Sequence, residues 1–251
     1  MIVGLLIGKH KSMGCPGKHL RPILGRPLVE YSLIAAKNSK YIEKLFVSTD
    51  SPQIVRIAKA YGAEHIKRPA KLATPEALTE DALEHAYEEI EERLDQEIEI
   101  VVLLFANSPT IPPGLIDKGI RVLKKDKSLD SCFSVCKYNM WAPLRARRLT
   151  KKNLIKPYVP LKCFGDVNKM SSIRGGEGNC YFVDLATQVL RARCFKNMDK
   201  GSLPFKWMGK KSYGLISDYG FDIDFEWQIP VIEHWLVKHG FTKKSTPYDK
   251  K

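Results

Sequence analysis

Cysteine is scarce in this sequence, and long hydrophobic runs are absent. Six cysteines occur in 251 residues and none belongs to a Cys-x-x-Cys pair, which excludes a disulfide-stapled scaffold and argues against a zinc knuckle. The longest apolar run near the N-terminus, Ile2–Ile7, is too short to cross a membrane, and it lacks the basic start and cleavage site of a signal peptide. We therefore expect a cytoplasmic chain with no membrane partner.

Acidic residues are missing from one stretch of the chain. None occurs between Asp130 and Asp166, where eight Lys and Arg residues lie, and the whole chain carries a formal net charge of +13. Such a surplus favours an anionic partner, although a solvated basic surface has the same composition. RRM, KH and helix-turn-helix patterns are absent, so we expect no nucleic-acid partner. The remaining interpretation is that these basic side chains line a binding site for a small substrate with several negative charges.

Strand-like and helix-like segments alternate along most of the chain. Apolar runs predict strands at residues 2–7, 45–48, 99–105 and 131–138. Proline-containing starts predict the intervening helices at Pro27, Ser51-Pro52, Thr74-Pro75 and Pro113-Gly114. The alternation predicts an α/β fold, with a mostly parallel open sheet and helices on both faces. The basic segment 143–176 interrupts it, as an insertion or arm within one domain that spans residues 1–251.

The C-terminal third gives further expectations about local structure. The pattern predicts a short strand at 181–183, a helix at 185–192 and a strand at 211–216. Residues 221–224 are expected to be extended, and Pro230 is expected to kink the last helix or confine its regular part to 231–239.

A loop rich in glycine and lysine follows the first strand directly. Its sequence from residue 8 to residue 19 is GKHKSMGCPGKH. Ligands of open α/β sheets bind beyond the carboxyl ends of the strands, where glycines let backbone N–H groups approach phosphate oxygens. The loop fits neither G-x-G-x-x-G nor G-x-x-x-x-G-K-[ST], which disfavours a Rossmann dinucleotide site and a Walker P-loop. Phosphate binding and an ordinary basic surface loop both remain open on this evidence.

Two carboxylates two residues apart, Asp222 and Asp224, lie near the C-terminus. In an extended segment residues i and i+2 share a face, and paired hard oxygen ligands suit Mg²⁺, which also keeps waters and substrate phosphates. Alternatively, Asp224 serves only as the N-cap of the last helix. Polar residues also follow predicted strands at Ser48-Thr49-Asp50, Arg68-Pro69 and Asn107-Ser108-Pro109. These could line a cleft or form ordinary turns.

Taken in order, these segments resemble the cytidylyltransferase family, whose members make CMP-activated acylneuraminate and 3-deoxy-manno-octulosonate. The family's opening signature, roughly A-R-G-G-S-K-G-I-P-x-K-N, aligns with residues 8–19 and shares Ser12, Gly14, Pro16 and Lys18. Further segments match in the same order: Gly25-Arg26-Pro27-Leu28, Val47-Ser48-Thr49-Asp50, Arg68-Pro69, Gly178 with Tyr181, and Asp222-Ile223-Asp224. The resemblance covers about residues 2–238.

The chain departs from the family pattern at several positions. Lys9 stands where the family has Arg, Met13 where it has Lys, and His19 where it has Asn. The family's strand end Q-P-T-S-P reads F-A-N-S-P at residues 105–109. The changed segment 105–107 points to a different acceptor, and the imidazole of His19 still offers a ring hydrogen bond to the nucleotide.

The resemblance implies a reaction that joins CTP to a 2-keto-3-deoxy sugar acid, either a nonulosonate or an octulosonate, and releases pyrophosphate. It implies that CTP is bound by Gly8, Lys9, Ser12, Gly14, Lys18, His19, Arg68 and Asn107. The implied sugar-acid contacts are Asn107, Ser108, Arg145 and Arg174. Catalysis is assigned to Lys18, Asp222 and Asp224, and the two aspartates would hold Mg²⁺. Family members also dimerise through the region of 143–176, so we expect a homodimer.

Other nucleotide-sugar enzymes remain as alternatives. A sugar-1-phosphate nucleotidyltransferase would share the fold and the reaction type and differ only in its acceptor. A nucleotide-sugar glycosyltransferase could also carry D-x-D, but that motif typically follows a middle strand, whereas here it lies at residues 222–224 of 251.

Overall fold

We describe a computed structural model, which covers residues 1–10, 15–218 and 220–249. Its strands are β1 (Ile2–Ile7), β2 (Pro22–Ile23), β3 (Arg26–Pro27), β4 (Lys44–Thr49), β5 (Glu64–Lys67), β6 (Ile100–Phe105), β7 (Ser131–Lys137), β8 (Arg147–Leu149), β9 (Ile155–Pro157), β10 (Tyr181–Arg191) and β11 (Ser212–Ile216). Its α-helices are α1 (Leu28–Lys37), α2 (Pro52–Ala60), α3 (Thr79–Arg93), α4 (Leu115–Lys125), α5 (Arg193–Lys196) and α6 (Gln228–Lys238).

Seven strands form one sheet in the order β11-β7-β10-β6-β1-β4-β5. Four of its six strand pairings are parallel, and β10 runs antiparallel to both of its neighbours. The prediction of a mostly parallel α/β sheet is confirmed. As a result, β1, β4, β5, β6, β7 and β11 all end at the same edge of the sheet, and β10 begins there.

Helices cover both faces of this sheet. Alternate residues of β1 point to opposite faces, so the continuous apolar run is buried on both sides. Ile2 and Leu6 pack with apolar residues of α1, α2 and α4, whereas Val3, Leu5 and Ile7 pack with those of α3 and α5. The predicted arrangement of helices on both faces is therefore also confirmed.

The last helix packs against the first. Ile232, Trp235 and Leu236 of α6 join Leu28, Tyr31 and Ile34 of α1 in a third apolar cluster, which also contains the fully buried Ile223. Because Ile223 is buried there, the aspartates on either side of it are held at a fixed place beside the sheet edge.

The prediction of a helix at 185–192 is wrong, since these residues form most of β10. Residues 188–191 pair with β6 on one side, and 188–190 pair with β7 on the other. The apolar spacing suited a helix, but hydrogen bonding on both edges and burial on both faces outweigh such a weak local preference. A register shift between Val183 and Gln188 contains Leu185, whose φ of 57° is left-handed.

Residues 221–224 belong to no strand, and their extended conformation stays a prediction. Two predicted helix boundaries near the site are wrong. Helix α3 begins at Thr79 and not at Thr74-Pro75. Pro230 is the third residue of α6, so it lies in the first turn, where its missing N–H has no helical partner to lose.

The basic segment 143–176 lies apart from the apolar interior. It contains the β8–β9 hairpin, and none of its residues, all of them described, belongs to the three apolar clusters. Its role as an arm, and the single domain, stay predictions. Nowhere in the described ranges is a helix long and apolar enough to cross a membrane.

Candidate functional site

A cavity of about 260 Å³ lies beyond the carboxyl ends of the central strands. Seven of the residues singled out in the sequence line it: Gly8, Lys9, Lys18, His19, Arg68, Asn107 and Asp222. Two further predicted nucleotide ligands, Ser12 and Gly14, fall outside the described residues. The sheet edge thus gathers side chains that are up to 214 positions apart in the sequence, from Gly8 to Asp222.

The first wall of the cavity comes from the loop after β1. A Cβ added to Gly8 would lie 2.6 Å from the Cβ of Ala106, which follows β6, so only glycine fits between the two strand ends. The next side chain, Lys9, reaches across to the opposite wall, where its Nζ donates to the carbonyl oxygens of Thr74 at 3.0 Å and Pro75 at 3.4 Å.

Lys18 pairs with one of the two predicted metal ligands. It lies in a 3-10 turn that follows Gly17, a residue in the left-handed region with a φ of 69°. Its buried Nζ lies 2.6 Å from Oδ1 of Asp224, whose side chain is exposed. The ion pair holds the charged Lys18 side chain at the cavity and holds Asp224 next to Lys18. This is the arrangement expected if both residues take part in catalysis.

Asp222 is the most perturbed acid of the site. It accepts a hydrogen bond from the hydroxyl of Ser108, and burial raises its pKa from 3.8 to about 7. The backbone holds this segment at two further points, because Phe221 N–H donates to Thr110 Oγ1 at 2.8 Å and Ile223 N–H donates to the carbonyl of Asn107 at 3.0 Å. A half-buried carboxylate with so little compensation favours a cation as its neighbour.

The alternative in which Asp224 caps the last helix is wrong. Helix α6 begins at Gln228, and its N-cap position is Trp227. The side chain of Gln228 instead accepts from the backbone N–H groups of Asp224 and Phe225, both at 2.7 Å. The carboxylate of Asp224 is thus left for Lys18 and for a ligand.

His19 presents a hydrogen-bond acceptor to the cavity. Its Nδ1 lies 3.0 Å from the carbonyl oxygen of Lys9, and since a carbonyl only accepts, Nδ1 carries the proton. Burial, together with the charge of Lys18, lowers the pKa of His19 to about 4, so the ring is neutral near pH 7. Nε2 is therefore unprotonated, and no described residue bonds to it.

Arg68 forms a buried positive wall. Its guanidinium donates to the carbonyl of Ser48 at 2.8 Å and to the hydroxyl of Ser48 at 3.3 Å. Burial lowers its pKa to about 10, which still leaves it charged at neutral pH. The residues Ser48-Thr49-Asp50 thus support the cavity from behind, and Asp50 also accepts from the backbone N–H of His10 at 2.7 Å.

The donor set fits Mg²⁺ better than a transition metal. The described residues contain no group of three or more His, Cys, Asp and Glu side chains that could hold a metal by themselves. Asp222 and Asp224 supply two hard carboxylates, and Mg²⁺ typically binds one or two carboxylates and completes its shell with waters and phosphate oxygens. The two carboxylates would hold Mg²⁺ together with waters, and the phosphates of a bound nucleotide would replace some of those waters.

Three of the four predicted sugar-acid ligands, Ser108, Arg145 and Arg174, do not line the central cavity. Arg145 lines a separate cavity of about 200 Å³, together with Glu177 and Gly178. The guanidinium of Arg145 donates to the carbonyl of Ser172 at 2.9 Å. Arg174, two residues further along the chain from Ser172, is exposed. The role of the two arginines stays a prediction. Asn107 lines the cavity, whereas Ser108 is fully buried and donates to Asp222.

Sequence reasoning missed the apolar wall of the cavity. Leu72, Ala77, Leu78 and Ala82 line it, and they lie before or at the start of α3. The prediction of a helix from Thr74 hid part of this wall, because it placed Ala77 and Leu78 in regular structure. The apolar residues between Arg68-Pro69 and the acidic start of α3 were the available signal.

Comparisons with known proteins agree with this geometry. A family model described as cytidylyltransferase matches residues 3–155. An N-acylneuraminate cytidylyltransferase of Oncorhynchus mykiss is 24% identical over 244 residues, which are 96% of this chain and 51% of that protein. Post-translational flagellin modification protein B of Campylobacter coli is 35% identical over 234 residues, which are 90% of this chain and 91% of that protein.

The solved structure of a CMP:2-keto-3-deoxy-manno-octonic acid synthetase complexed with CTP has the same fold. Its TM-score is 0.65 at 15% identity, over 94% of this chain and 98% of that one. By contrast, this chain spans only about half the length of the first curated relatives it matches, at 51% and 53%.

Proposed function

The chain belongs to the cytidylyltransferase family, a family of nucleotidyltransferase enzymes, and we propose that it joins CTP to a 2-keto-3-deoxy sugar acid. The anomeric hydroxyl oxygen of the sugar acid would attack the α-phosphorus. The bond from that phosphorus to the oxygen bridging it to the β-phosphate would break, and the products would be a CMP-sugar, pyrophosphate and a proton. The observation that carries the proposal is the cavity in which Lys9, Lys18 and Arg68 face Asp222.

The cation side of the cavity suits a triphosphate. Lys9, Lys18 and Arg68 supply three positive charges, and Lys18 is already ordered by its ion pair with Asp224. Catalysis by such a site rests on orientation and on neutralising the charge that builds up on phosphoryl oxygens. Lys18 is the side chain we assign to the transferring phosphate.

His19 suits the base of CTP. The 4-amino group of cytosine donates hydrogen bonds, whereas the oxygen at the same place in uracil accepts them. The unprotonated Nε2 of His19 accepts a hydrogen bond, so it would favour cytosine. The apolar side chains of Leu72, Leu78 and Ala82 would cover the ring.

Asp222 and Asp224 would hold Mg²⁺. When bound, the ion would neutralise the phosphate oxygens and lower the pKa of a coordinated hydroxyl. The chain itself supplies Ser108, whose hydroxyl fixes one oxygen of Asp222, and Lys18, which fixes one oxygen of Asp224. In each aspartate, the protein therefore already orients one carboxylate oxygen before the ion binds.

The acceptor side is the least specified part of the proposal. Asn107 lines the cavity and Ser108 contacts Asp222. Arg145 and Arg174 belong to the basic arm 143–176. A sugar acid carries one carboxylate, and Arg binds carboxylates in a bidentate manner. Exposed apolar side chains on this arm, among them Leu149, Leu154, Ile155 and Tyr158, support the further proposal that the arm packs against a second copy of the chain.

Pyrophosphate release tests the proposal. The assay would combine four nucleoside triphosphates with a panel of eight- and nine-carbon sugar acids and with sugar-1-phosphates, in the presence of Mg²⁺. We expect release with CTP and a sugar acid, its loss in Asp222→Ala, and its retention in Asp199→Ala, which changes an exposed aspartate that does not line the cavity. Release only with a sugar-1-phosphate would move the protein to that enzyme class, and no release would refute nucleotidyl transfer.

A further inference from the structure

A further aspartate, Asp184, lies at the same edge of the sheet but outside the cavity lining. It belongs to the first part of β10, next to the register shift. Its Oδ1 accepts from the hydroxyl of Ser134 and from the backbone N–H of Ala186 at 3.0 Å. Its Oδ2 accepts from the thiol of Cys136 at 2.8 Å and from the hydroxyl of Ser217 at 2.7 Å.

These four donors use the full capacity of a carboxylate, which has about four lone-pair positions. The thiol is a genuine donor, because burial raises the pKa of Cys136 to about 12 and keeps it protonated. Asp184 therefore ties together β7, β10 and the segment that follows β11. Such a carboxylate has no lone pair left for substrate or metal, so its role is to hold these chain segments together.

The segment that follows β11 leads directly to the two acids of the site. Ser217 is bonded to Asp184, and the backbone N–H of Gly220 donates to the sulfur of Cys136 at 2.9 Å. A Cβ added to Gly220 would lie 2.4 Å from Oδ2 of Asp184, so the backbone passes directly against the carboxylate. Two residues further on comes Asp222.

Asp222 is then held from the other side by residues that follow β6. Thr110 Oγ1 accepts from the N–H of Phe221 at 2.8 Å, and Ser108 donates to the carboxylate itself. Ser217 and Gly220 are thus held by Asp184 and Cys136, and Phe221 and Asp222 are held by Thr110 and Ser108. A displacement of either anchor would move the carboxylate of Asp222.

We propose that Asp184 is a positioning residue for the metal-binding carboxylates, which it places through Ser217, Cys136 and Gly220. This inference rests on the proposed function, because it assumes that Asp222 and Asp224 bind a divalent cation. Asp184 itself touches neither the cavity nor the reacting atoms. Its removal is expected to weaken the metal site and leave the nucleotide contacts of Lys9, His19 and Arg68 in place.

The test compares variants of the full chain by Mn²⁺ titration, followed by electron paramagnetic resonance with no nucleotide present. Asp184→Asn keeps the shape of the side chain but cannot accept all four hydrogen bonds. We expect its dissociation constant for Mn²⁺ to rise about tenfold. Ser217→Ala leaves Asp184 itself unchanged but removes the Ser217 bonds to Asp184 and to the sulfur of Cys136. It is expected to raise this dissociation constant about threefold. In pyrophosphate release, the Mg²⁺ activation constant should rise while KM for CTP stays within twofold.

The matched control is Asp117→Asn. Asp117 is also a buried aspartate that holds a loop, since it accepts from the hydroxyl of Ser39 at 2.6 Å and from the N–H of Lys40 at 3.1 Å. It does not line the cavity, so its variant should lose stability without a change in Mn²⁺ binding. An equal weakening in Asp117→Asn would overturn the positioning role.

The positioning role of Asp184 would also be overturned if Mn²⁺ binding is unchanged in both Asp184→Asn and Ser217→Ala. If Asp184→Asn does not fold, Mn²⁺ binding by Ser217→Ala alone decides. The outcome is separable from that of the proposed function. Wild-type pyrophosphate release from CTP, with Mn²⁺ binding unaltered in the variants, refutes only the role of Asp184. Wild-type protein that binds no Mn²⁺ refutes the metal site and this inference with it.

Discussion

Replacement of Asp222 by Asn should stabilise the metal-free protein at high pH. The pKa of Asp222 is about 7 in the folded chain and 3.8 in the reference state. The folded state therefore binds this proton more tightly, and its stability falls as the pH rises from about 4 to about 7. Each tenfold change in acidity corresponds to about 1.4 kcal/mol, so ionised Asp222 costs the fold at most about 4 kcal/mol at pH 8.

Urea unfolding in the presence of a chelator measures this cost. Between pH 5.5 and pH 8 the ionisation of Asp222 accounts for about 2 kcal/mol of lost stability. Asp222→Asn keeps an acceptor for the Ser108 hydroxyl and carries no charge. Its advantage over the wild type should therefore grow by about 2 kcal/mol over that range.

The neighbouring acid provides the control. Asp224 is exposed and paired with Lys18, so Asp224→Asn removes an ion pair and relieves no buried charge. We expect it to show no stability gain that grows with pH. If the difference between Asp222→Asn and the wild type is the same at pH 5.5 and pH 8, the burial argument for Asp222 is refuted.

Three further changes test other parts of the site and the arm. His19→Leu removes the Nε2 acceptor, so the ratio of kcat/KM for CTP over UTP should fall about tenfold, the size of one hydrogen bond; an unchanged ratio would show that His19 does not read the base. Gly8→Ala places a Cβ 2.6 Å from that of Ala106, and urea unfolding should show a loss of about 1–3 kcal/mol. Ile155→Asp puts a charge among the exposed apolar side chains of the basic arm and should shift the sedimentation coefficient toward that of a monomer. An unaltered sedimentation coefficient would place any interface elsewhere.

Much of the sheet could be read from the sequence because its strands are continuous apolar runs. Both faces are buried in Ile2–Ile7 and in the strand that ends at Phe105. A run of apolar residues as short as these is typical of a strand that is covered on both sides. The site residues could be found for a related reason. Lys9, Arg68 and Asn107 each follow a predicted strand, and the ends of parallel strands meet at one edge.

The features that were missed depend mainly on contacts between distant parts of the chain. Strand β10 has a helix-like spacing of apolar residues, and only its two neighbours in the sheet make it extended. The wall formed by Leu72 and Leu78 lies in an irregular segment whose conformation depends on contacts such as Lys9 with Thr74. Likewise, Asp184 resembles any surface aspartate until Ser134, Cys136 and Ser217 are brought around it.

The reversed direction of β10 affects how the basic arm can vary. Because β10 is antiparallel to β7, the chain leaves the sheet after Lys137 and returns opposite it, at Tyr181. The residues between are attached through two adjacent points at the same edge as the nucleotide cavity. Insertions, deletions or an exchanged segment there would leave the register of the seven strands intact. If the arm binds the acceptor as proposed, its sequence could change or be exchanged by recombination while the sheet and the cavity stay the same.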